Sequence, residues 1–227
     1  MLAIADDVWQ LPLTPRNAIN AYLIGDVLVD TGIKQSAEKV AAMLEGRSLS
    51  AIALTHAHND HAGAMRDLAD RFGVPVWCGA QDREAAETGR VVLAPAFGRP
   101  RLNALAVATA GFDGAPVART LAEGDMLTAG FTVLDTPGHS PGHVSFWREA
   151  DRTLICGDVF FNMHLLTTIP GVRQPPHLFT TDPAENRRSE RRLAALEPAA
   201  VGFGHGPVLR EGAAQQLREF VQTLPPG

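Results

Sequence analysis

The stretch that most constrains this chain is Ala53-Leu54-Thr55-His56-Ala57-His58-Asn59-Asp60-His61-Ala62-Gly63. Three histidines and an aspartate fall within six positions, behind an apolar run from Ala51 to Leu54 that reads as a buried strand. Imidazole nitrogens and carboxylate oxygens are preferred ligands of zinc and similar divalent ions. His56 and His58, two apart, point the same way where the backbone is extended. Asp60 and His61 continue the turn and can face a second point in space. One short loop can therefore serve two neighbouring metals. The chain holds only 8 histidines, so the gathering of three here is a metal signal before it is surface polarity.

A loop alone does not complete a site, because zinc takes at least three protein ligands. The remaining candidates lie downstream, each beside glycine. They are His139 in Thr136-Pro137-Gly138-His139-Ser140-Pro141-Gly142-His143, Asp158 in Cys156-Gly157-Asp158, and His205 in Phe203-Gly204-His205-Gly206. These four motifs, in this order and over nearly the whole chain, resemble the metallo-β-lactamase superfamily. The resemblance implies an α/β fold of the αββα sandwich type, two mixed sheets with outer helices, over residues 1–227 as one domain. It assigns His56, His58 and His139 to one metal and Asp60, His61 and His205 to the other, with Asp158 bridging both. Asp30 matches an aspartate that supports the metal loop. His143, four residues past His139, is read as a hydrogen-bond partner of a ligating group rather than a ligand.

Two divalent ions held close together can share a water and depress its pKa towards neutrality, and the metal-bridging hydroxide then attacks a carbonyl. Asp60 is the catalytic candidate, orienting that nucleophile and passing its proton to the leaving group. The mixed imidazole and carboxylate set suits zinc, with iron or manganese as alternatives.

Departures within the motifs separate branches of the family. Asp158 occupies the bridging position where β-lactamases typically have cysteine or serine. His58 stands where the diiron oxidoreductases usually have glutamate. His143 stands where the persulfide dioxygenases, which bind one iron, commonly carry cysteine. Two hydrolase branches remain. The glyoxalase II-like branch cleaves a hydroxyacyl thioester, and this chain resembles its short form, without the added helical domain. The N-acyl-homoserine lactonase branch is the alternative. Several of its members place a tyrosine after the bridging aspartate, whereas here that region has Phe160 and Phe161, and Tyr22 is the only tyrosine. The expectation is thioester or ester hydrolysis. Phe160, Phe161 and Arg173 are the substrate-binding candidates, from two stretches, 91–120 and 160–181, that lack clear periodicity and suit pocket walls. Phe97, Met163, Leu165, Arg99 and Arg101 lie in the same stretches.

A net charge of −5 and a pI near 5.9 argue against a nucleic-acid partner. Two cysteines, Cys78 and Cys156, are too few for a disulfide framework and read as buried thiols. The N-terminus lacks the basic start and long apolar core of a signal peptide, and no apolar run approaches transmembrane length. A cytoplasmic enzyme acting on a small molecule is expected, with no membrane partner; the oligomeric state stays open.

Patterning predicts strands over 8–13, 18–24 and 27–29, the last two a hairpin across Gly25-Asp26. It predicts helices over 36–44, 64–72 and 81–88, with strands at 52–54 and 74–78. Within 91–120 a strand at 105–109 is expected in an otherwise irregular insertion. Strands follow at 131–134, 144–147, 153–156 and 200–203. A helix begins after the Asp182 cap and Pro183 and runs to about 196, and another spans 211–224. Each proposed ligand falls just past a strand's end.

Overall fold

The computed structural model describes residues 1–91 and 111–225. Seven strands form the first sheet in chain order: β1 (Leu2–Ala5), β2 (Val8–Pro12), β3 (Asn20–Ile24), β4 (Val27–Val29), β5 (Ala51–Ala53), β6 (Val76–Gly79) and β7 (Val117–Leu121). β1 to β4 pair antiparallel and β4 to β7 parallel, so the sheet is mixed. The second sheet runs β13 (Ala200–Gly202), β10 (Thr153–Ile155), β9 (Val144–Arg148), β8 (Thr132–Asp135). There β10 lies parallel to β13 and antiparallel to β9, which lies antiparallel to β8. A two-stranded ribbon, β11 (Phe161–Met163) with β12 (Pro170–Arg173), stands apart from both.

The layering follows from strand alternation. Successive side chains leave a strand on opposite faces. In β3, Ala21 and Leu23 join one core cluster while Tyr22 and Ile24 join another; in β4, Leu28 faces one way and Val27 and Val29 the other. The first cluster is closed by Val40 and Ala41 of α1 (Ala37–Met43), Met65 and Leu68 of α3 (Met65–Phe72), and Ala85 and Ala86 of α4 (Arg83–Thr88). The second lies between the sheets, where Tyr22, Val29 and Ala53 meet Phe131, Val133, Phe146 and Ile155. The third packs Leu134, Trp147 and Leu154, from the far face of the second sheet, on Leu193 of α5 (Pro183–Ala195) and Leu217 of α6 (Ala213–Gln222). Helix, sheet, sheet, helix is the resulting order, as expected from the motifs.

Three expectations about local structure need correction. The stretch 91–120 is not irregular to its end, because Val117–Leu121 forms the outermost strand of the first sheet and buries Val117 and Leu121. The stretch 160–181 holds the β11–β12 ribbon. β1 was not anticipated; it is a short edge strand whose outward Leu2 stays exposed. The expected strand at 105–109 lies outside the described residues. No helix among the described residues is long and apolar enough to cross a membrane.

Candidate metal centre

β5 delivers the first ligand loop at its C-terminal end, where parallel strands leave their carboxyl ends open to a site. Thr55 is fixed by Asp30, whose Oδ1 accepts from Thr55 N–H at 2.8 Å and whose Oδ2 accepts from its hydroxyl at 2.8 Å. Asp30 takes a left-handed backbone (φ 60°) to reach there, a conformation aspartate tolerates better than most residues. After His58 the chain closes one helical turn, α2 (Asn59–Ala62), in which Ala62 N–H donates to His58 carbonyl at 2.7 Å. That turn carries Asp60 and His61, whose donor atoms gather with that of His205, while His61 also stays beside His56, with ring centroids 4.1 Å apart. The second sheet supplies the rest: His139 between β8 and β9, Asp158 after β10, and His205 after β13.

Two triads of donor atoms result. His56, His58 and His139 form one, and Asp60, His61 and His205 another, each with its atoms within 4.8 Å of one another. In the first, His58 Nδ1 stands 3.0 Å from His56 Nε2 and 3.1 Å from His139 Nε2. In the second, His205 Nε2 stands 3.3 Å from Asp60 Oδ2. A single oxygen, Asp158 Oδ2, lies between them. It is 3.2 Å from His205 Nε2, 3.3 Å from His61 Nε2, 3.4 Å from His139 Nε2 and 3.9 Å from His56 Nε2.

The far sides of the rings show why these atoms converge. Nδ1 of His61 meets Asp30 Oδ2 at 2.8 Å, and Nδ1 of His205 meets the Ala18 carbonyl at 2.5 Å. Nδ1 of His56 meets the Thr55 hydroxyl at 3.1 Å and Nδ1 of His139 the Thr180 hydroxyl at 3.3 Å. Engaging Nδ1 in this way turns the Nε2 lone pair inward, the usual arrangement behind a metal-ligating histidine. His61 Nε2 and Asp158 Oδ1 are buried without a hydrogen bond among the described residues. Gly204 is required beside them, since a Cβ there would lie 2.1 Å from Asp158 Oδ1 and 2.5 Å from His61 Cε1. Buried, inward-aimed, unsatisfied donors of imidazole and carboxylate type fit divalent cations.

Burial and neighbouring charge act in opposite directions on these donors. Burial drives His56 and His139 well below the ordinary imidazole range, so both stand neutral. Burial also pushes His61 and His205 down, but the carboxylates outweigh it. Asp158 and Asp30 hold His61 well up, and Asp158 and Asp60 bring His205 up to about 10. Burial disfavours the charged carboxylates, yet His205 and His61 keep Asp158 and Asp60 well below the usual carboxylate range.

A sequence model of the metallo-beta-lactamase superfamily matches residues 14–205. The chain belongs to that superfamily. It is 30% identical over 234 residues to the probable metallo-hydrolase YflN of Bacillus subtilis, covering 95% of this chain and 85% of that protein. It is 30% identical over 152 residues to the hydroxyacylglutathione hydrolase GloC of Haemophilus influenzae, covering 63% of this chain and 66% of that one. Among solved structures, TTHA1623 in a di-iron-bound form is 32% identical with a TM-score of 0.70, covering 93% of this chain and 99% of the other. The B3 metallo-beta-lactamase BLEG-1 is 30% identical with a TM-score of 0.69, covering 94% and 99%. Family, fold and His/Asp clusters together make this a divalent-metal site of a metallo-hydrolase fold.

Around the superfamily's motifs, the supporting residues are specific to what they touch. His143 spends both nitrogens on protein: Nε2 accepts from Asp158 N–H at 3.1 Å, so Nδ1 carries the proton towards the Thr136 hydroxyl at 2.9 Å. Burial lowers it to about 3, which keeps Nε2 an acceptor. Asp82 was missed in the sequence. It is buried, and its carboxylate joins the two ligand loops: Oδ2 accepts from Ala57 N–H at 2.9 Å and Ser140 Oγ at 2.7 Å, and Oδ1 from Gly142 N–H at 2.7 Å. Asn20 does the same for the third loop, donating to the Gly206 carbonyl at 2.8 Å and the Phe203 carbonyl at 3.1 Å. No local signal marks Asp82 or Asn20; the contacts that tie them to the ligand loops are long-range.

The substrate-binding candidates divide. Phe161 lines an open cavity over the metal ligands, with Asn59, Val91, Leu165 and Phe179, and its ring centroid lies 4.4 Å from that of His205. Phe160 does not line it. It lies in the bend before β11 and is fully buried against Phe220 of α6, at 6.0 Å between ring centroids. Arg173 is absent from that cavity and lines an adjoining one. Phe97, Arg99 and Arg101 lie outside the described residues. His164 serves its own turn, with Nδ1 accepting from Leu166 and Thr167 N–H, and His177 is exposed. Tyr22 is buried between the sheets, its hydroxyl donating to the Phe203 carbonyl at 2.8 Å.

Proposed function

We propose that this chain is a dinuclear metal-dependent hydrolase of thioester or ester bonds, of the hydroxyacyl-thioester type, with zinc as the preferred ion. The observation that carries the reading is the position of Asp158 Oδ2, one carboxylate oxygen within 3.2–3.4 Å of an imidazole from each triad. His56, His58 and His139 would hold one ion, Asp60, His61 and His205 the other, with Asp158 common to both. Such ions, when bound, acidify a shared water and polarise the scissile carbonyl.

The chain's own groups do the rest. Asp60 is the ligand with the most open carboxylate, 36% exposed and lining the cavity. Held ionised, it orients a water, accepts its proton at Oδ and returns it to the departing sulfur or oxygen. One water is consumed, and one acid and one thiol or alcohol are released. Phe161, Leu165, Val91 and Phe179 give the cavity an apolar wall that excludes bulk water and receives an acyl group. The lactone alternative is weaker because the only tyrosine, Tyr22, is committed to the Phe203 carbonyl and cannot offer a phenol to a lactone ring.

The test is twofold. Elemental analysis of protein purified without added metal should give close to two ions per chain. A panel of thioesters, aryl esters, lactones and β-lactams should show thioester or ester turnover dominating, with label from oxygen-18 water entering the released acid in a single turnover. One metal per chain after zinc titration, or dominant lactone or β-lactam turnover, would overturn the proposal.

A further inference from the structure

A second, open cavity adjoins the first. The two share Phe161 and Leu165 as lining residues. Its walls are otherwise the β11–β12 ribbon and the segment after it: Met163, Leu166, Arg173 and Pro176 are the ones that matter here. The register of the ribbon places Arg173 directly across from Phe161. Phe161 and Leu165 thus stand between the metal ligands on one side and a largely apolar cavity lined by a guanidinium on the other.

Several arginines of this chain are paired. Arg188 pairs with Glu185, Arg192 with Glu123, Arg218 with Glu197 and Arg148 with Asp151. The Arg173 side chain, like that of Arg187, has no hydrogen bond or ion pair with a described residue, and unlike Arg187 it lines the cavity beside the site. The apolar side chains nearby are also left open, Leu166 at 90% exposure and Ile169 at 59%. A solvated arginine needs no such surroundings, and a patch that only excluded water would not need a cation.

We infer that the adjoining cavity is the subsite for the acyl chain of the substrate, and that Arg173 receives an anionic group at that chain's far end. The inference rests on the hydrolase reading above and names its substrate class: thioesters or esters of medium-length, apolar acyl chains that end in a carboxylate. The acyl side is favoured over the leaving group because the walls are hydrocarbon. A polar thiol carrier would leave its own amides and charges unpaired there, whereas methylenes are stabilised by burial. Guanidinium is the side chain best shaped for a terminal carboxylate.

The experiment uses aryl esters with one leaving group and acyl chains of four to eight methylenes, each ending either in a carboxylate or in the isosteric, neutral carboxamide. KM should fall by about three- to fourfold for each added methylene up to the length that reaches Arg173. At that length the carboxylate should be preferred over the carboxamide by about fivefold, the modest gain of a partly solvated pair. In Arg173→Gln that preference should drop to about one. A second measurement does not need turnover: calorimetric binding of suberic acid monoamide to the metal-loaded protein should weaken about fivefold in Arg173→Gln. A carboxylate preference that is absent, or unchanged in Arg173→Gln, would overturn the inference, as would monoamide binding that ignores the substitution. If no ester is hydrolysed but the monoamide binding still depends on Arg173, the hydrolase reading fails and the subsite stands.

Discussion

Asp82 offers the sharpest test of how the two ligand loops are held in register. Its carboxylate is buried and accepts three hydrogen bonds, two on Oδ2 and one on Oδ1, from residues on both sides of the first metal triad. Space around it is tight: a Cβ on Gly142 would lie 2.3 Å from Asp82 N. In Asp82→Asn the amide oxygen can keep the two-donor side. Its NH2 then confronts Gly142 N–H, so one charge-assisted bond is lost and a buried donor is left without a partner. Each of those costs about 1.5–3 and about 1–3 kcal/mol. Because they describe overlapping parts of one change, the net is about 2–4 kcal/mol. For a chain of this length each kcal/mol moves Tm by about 2–4 °C, so Asp82→Asn should melt about 5–15 °C lower.

Ser140→Ala removes only one donor and leaves Asp82 two others, for a loss near 1 kcal/mol. Turnover in Ser140→Ala should stay within a few-fold, since Ser140 Oγ serves Asp82 and no acyl group. The two substitutions share a hydrogen bond, so the double mutant should be more stable than the sum of the singles by at least about 0.5 kcal/mol. Thermal and urea denaturation with metal content held fixed would measure all three variants. A melting point for Asp82→Asn within about 1 °C of the parent, or strict additivity with Ser140→Ala, would refute the reasoning.

Other residues give shorter tests. His143→Ala should retain most bound metal while losing about 10–100-fold in activity, because His143 touches the backbone of Asp158 rather than an ion; equal metal loss in His143→Ala and His139→Ala would contradict this. Asp158→Ala should strip metal from one or both triads, read by elemental analysis. Burial raises Glu190 to about 8 from an ordinary 4.5, although Gln174 and nearby arginines pull the other way. The folded chain therefore binds the extra proton, and Glu190's contribution is fully present below about 4.5, falls as pH climbs towards 8, then levels off. Glu190→Gln should flatten that slope, at most about 1.4 kcal/mol per pH unit, in urea midpoints measured from pH 5 to 9.

What was legible in the sequence follows residue chemistry. Of the candidate ligands, His56, His58, Asp60 and His61 stand out by local spacing, whereas His139, Asp158 and His205 are single residues beside glycine that the resemblance to the superfamily's motifs singled out. Strands β2 to β5 and helix α5 were found because alternation, the Gly25-Asp26 turn and the Asp182-Pro183 start are short-range signals. β7 was hidden because it is the outer strand, with Ala118 and Arg119 exposed between its buried ends. Phe160 and Phe161 show a subtler limit. Phe160 lies in the bend before β11 and Phe161 is its first residue, and only packing against Phe220 or beside His205 decides which one reaches the pocket. Asp82 and Asn20 were invisible for a different reason, since the partners that give them meaning lie from 25 to 186 residues away.

Each triad draws on both sheets. The first joins His56 and His58, after β5, to His139 between β8 and β9; the second joins Asp60 and His61 to His205, after β13. A cation in either triad therefore crosslinks the seven-stranded sheet to the four-stranded one across the interface that Tyr22, Phe131 and Phe146 fill. Only the folded chain brings these donors together, so binding adds to stability as RT ln(1 + [L]/Kd), about 4 kcal/mol at a thousandfold excess over Kd. Removing metal leaves Asp60 and Asp158 neutralised by protonated His61 and His205, which softens the loss without replacing the link. Chelation should then lower Tm by roughly 8–16 °C at that degree of saturation, and zinc should restore it. Hydrogen exchange should quicken in the loops after β5, β8 and β13 more than in α1 and α3, which pack on the opposite face of the first sheet. An unchanged Tm after verified metal removal would mean that the sheets are held by their apolar interface alone and that the triads do not bridge them.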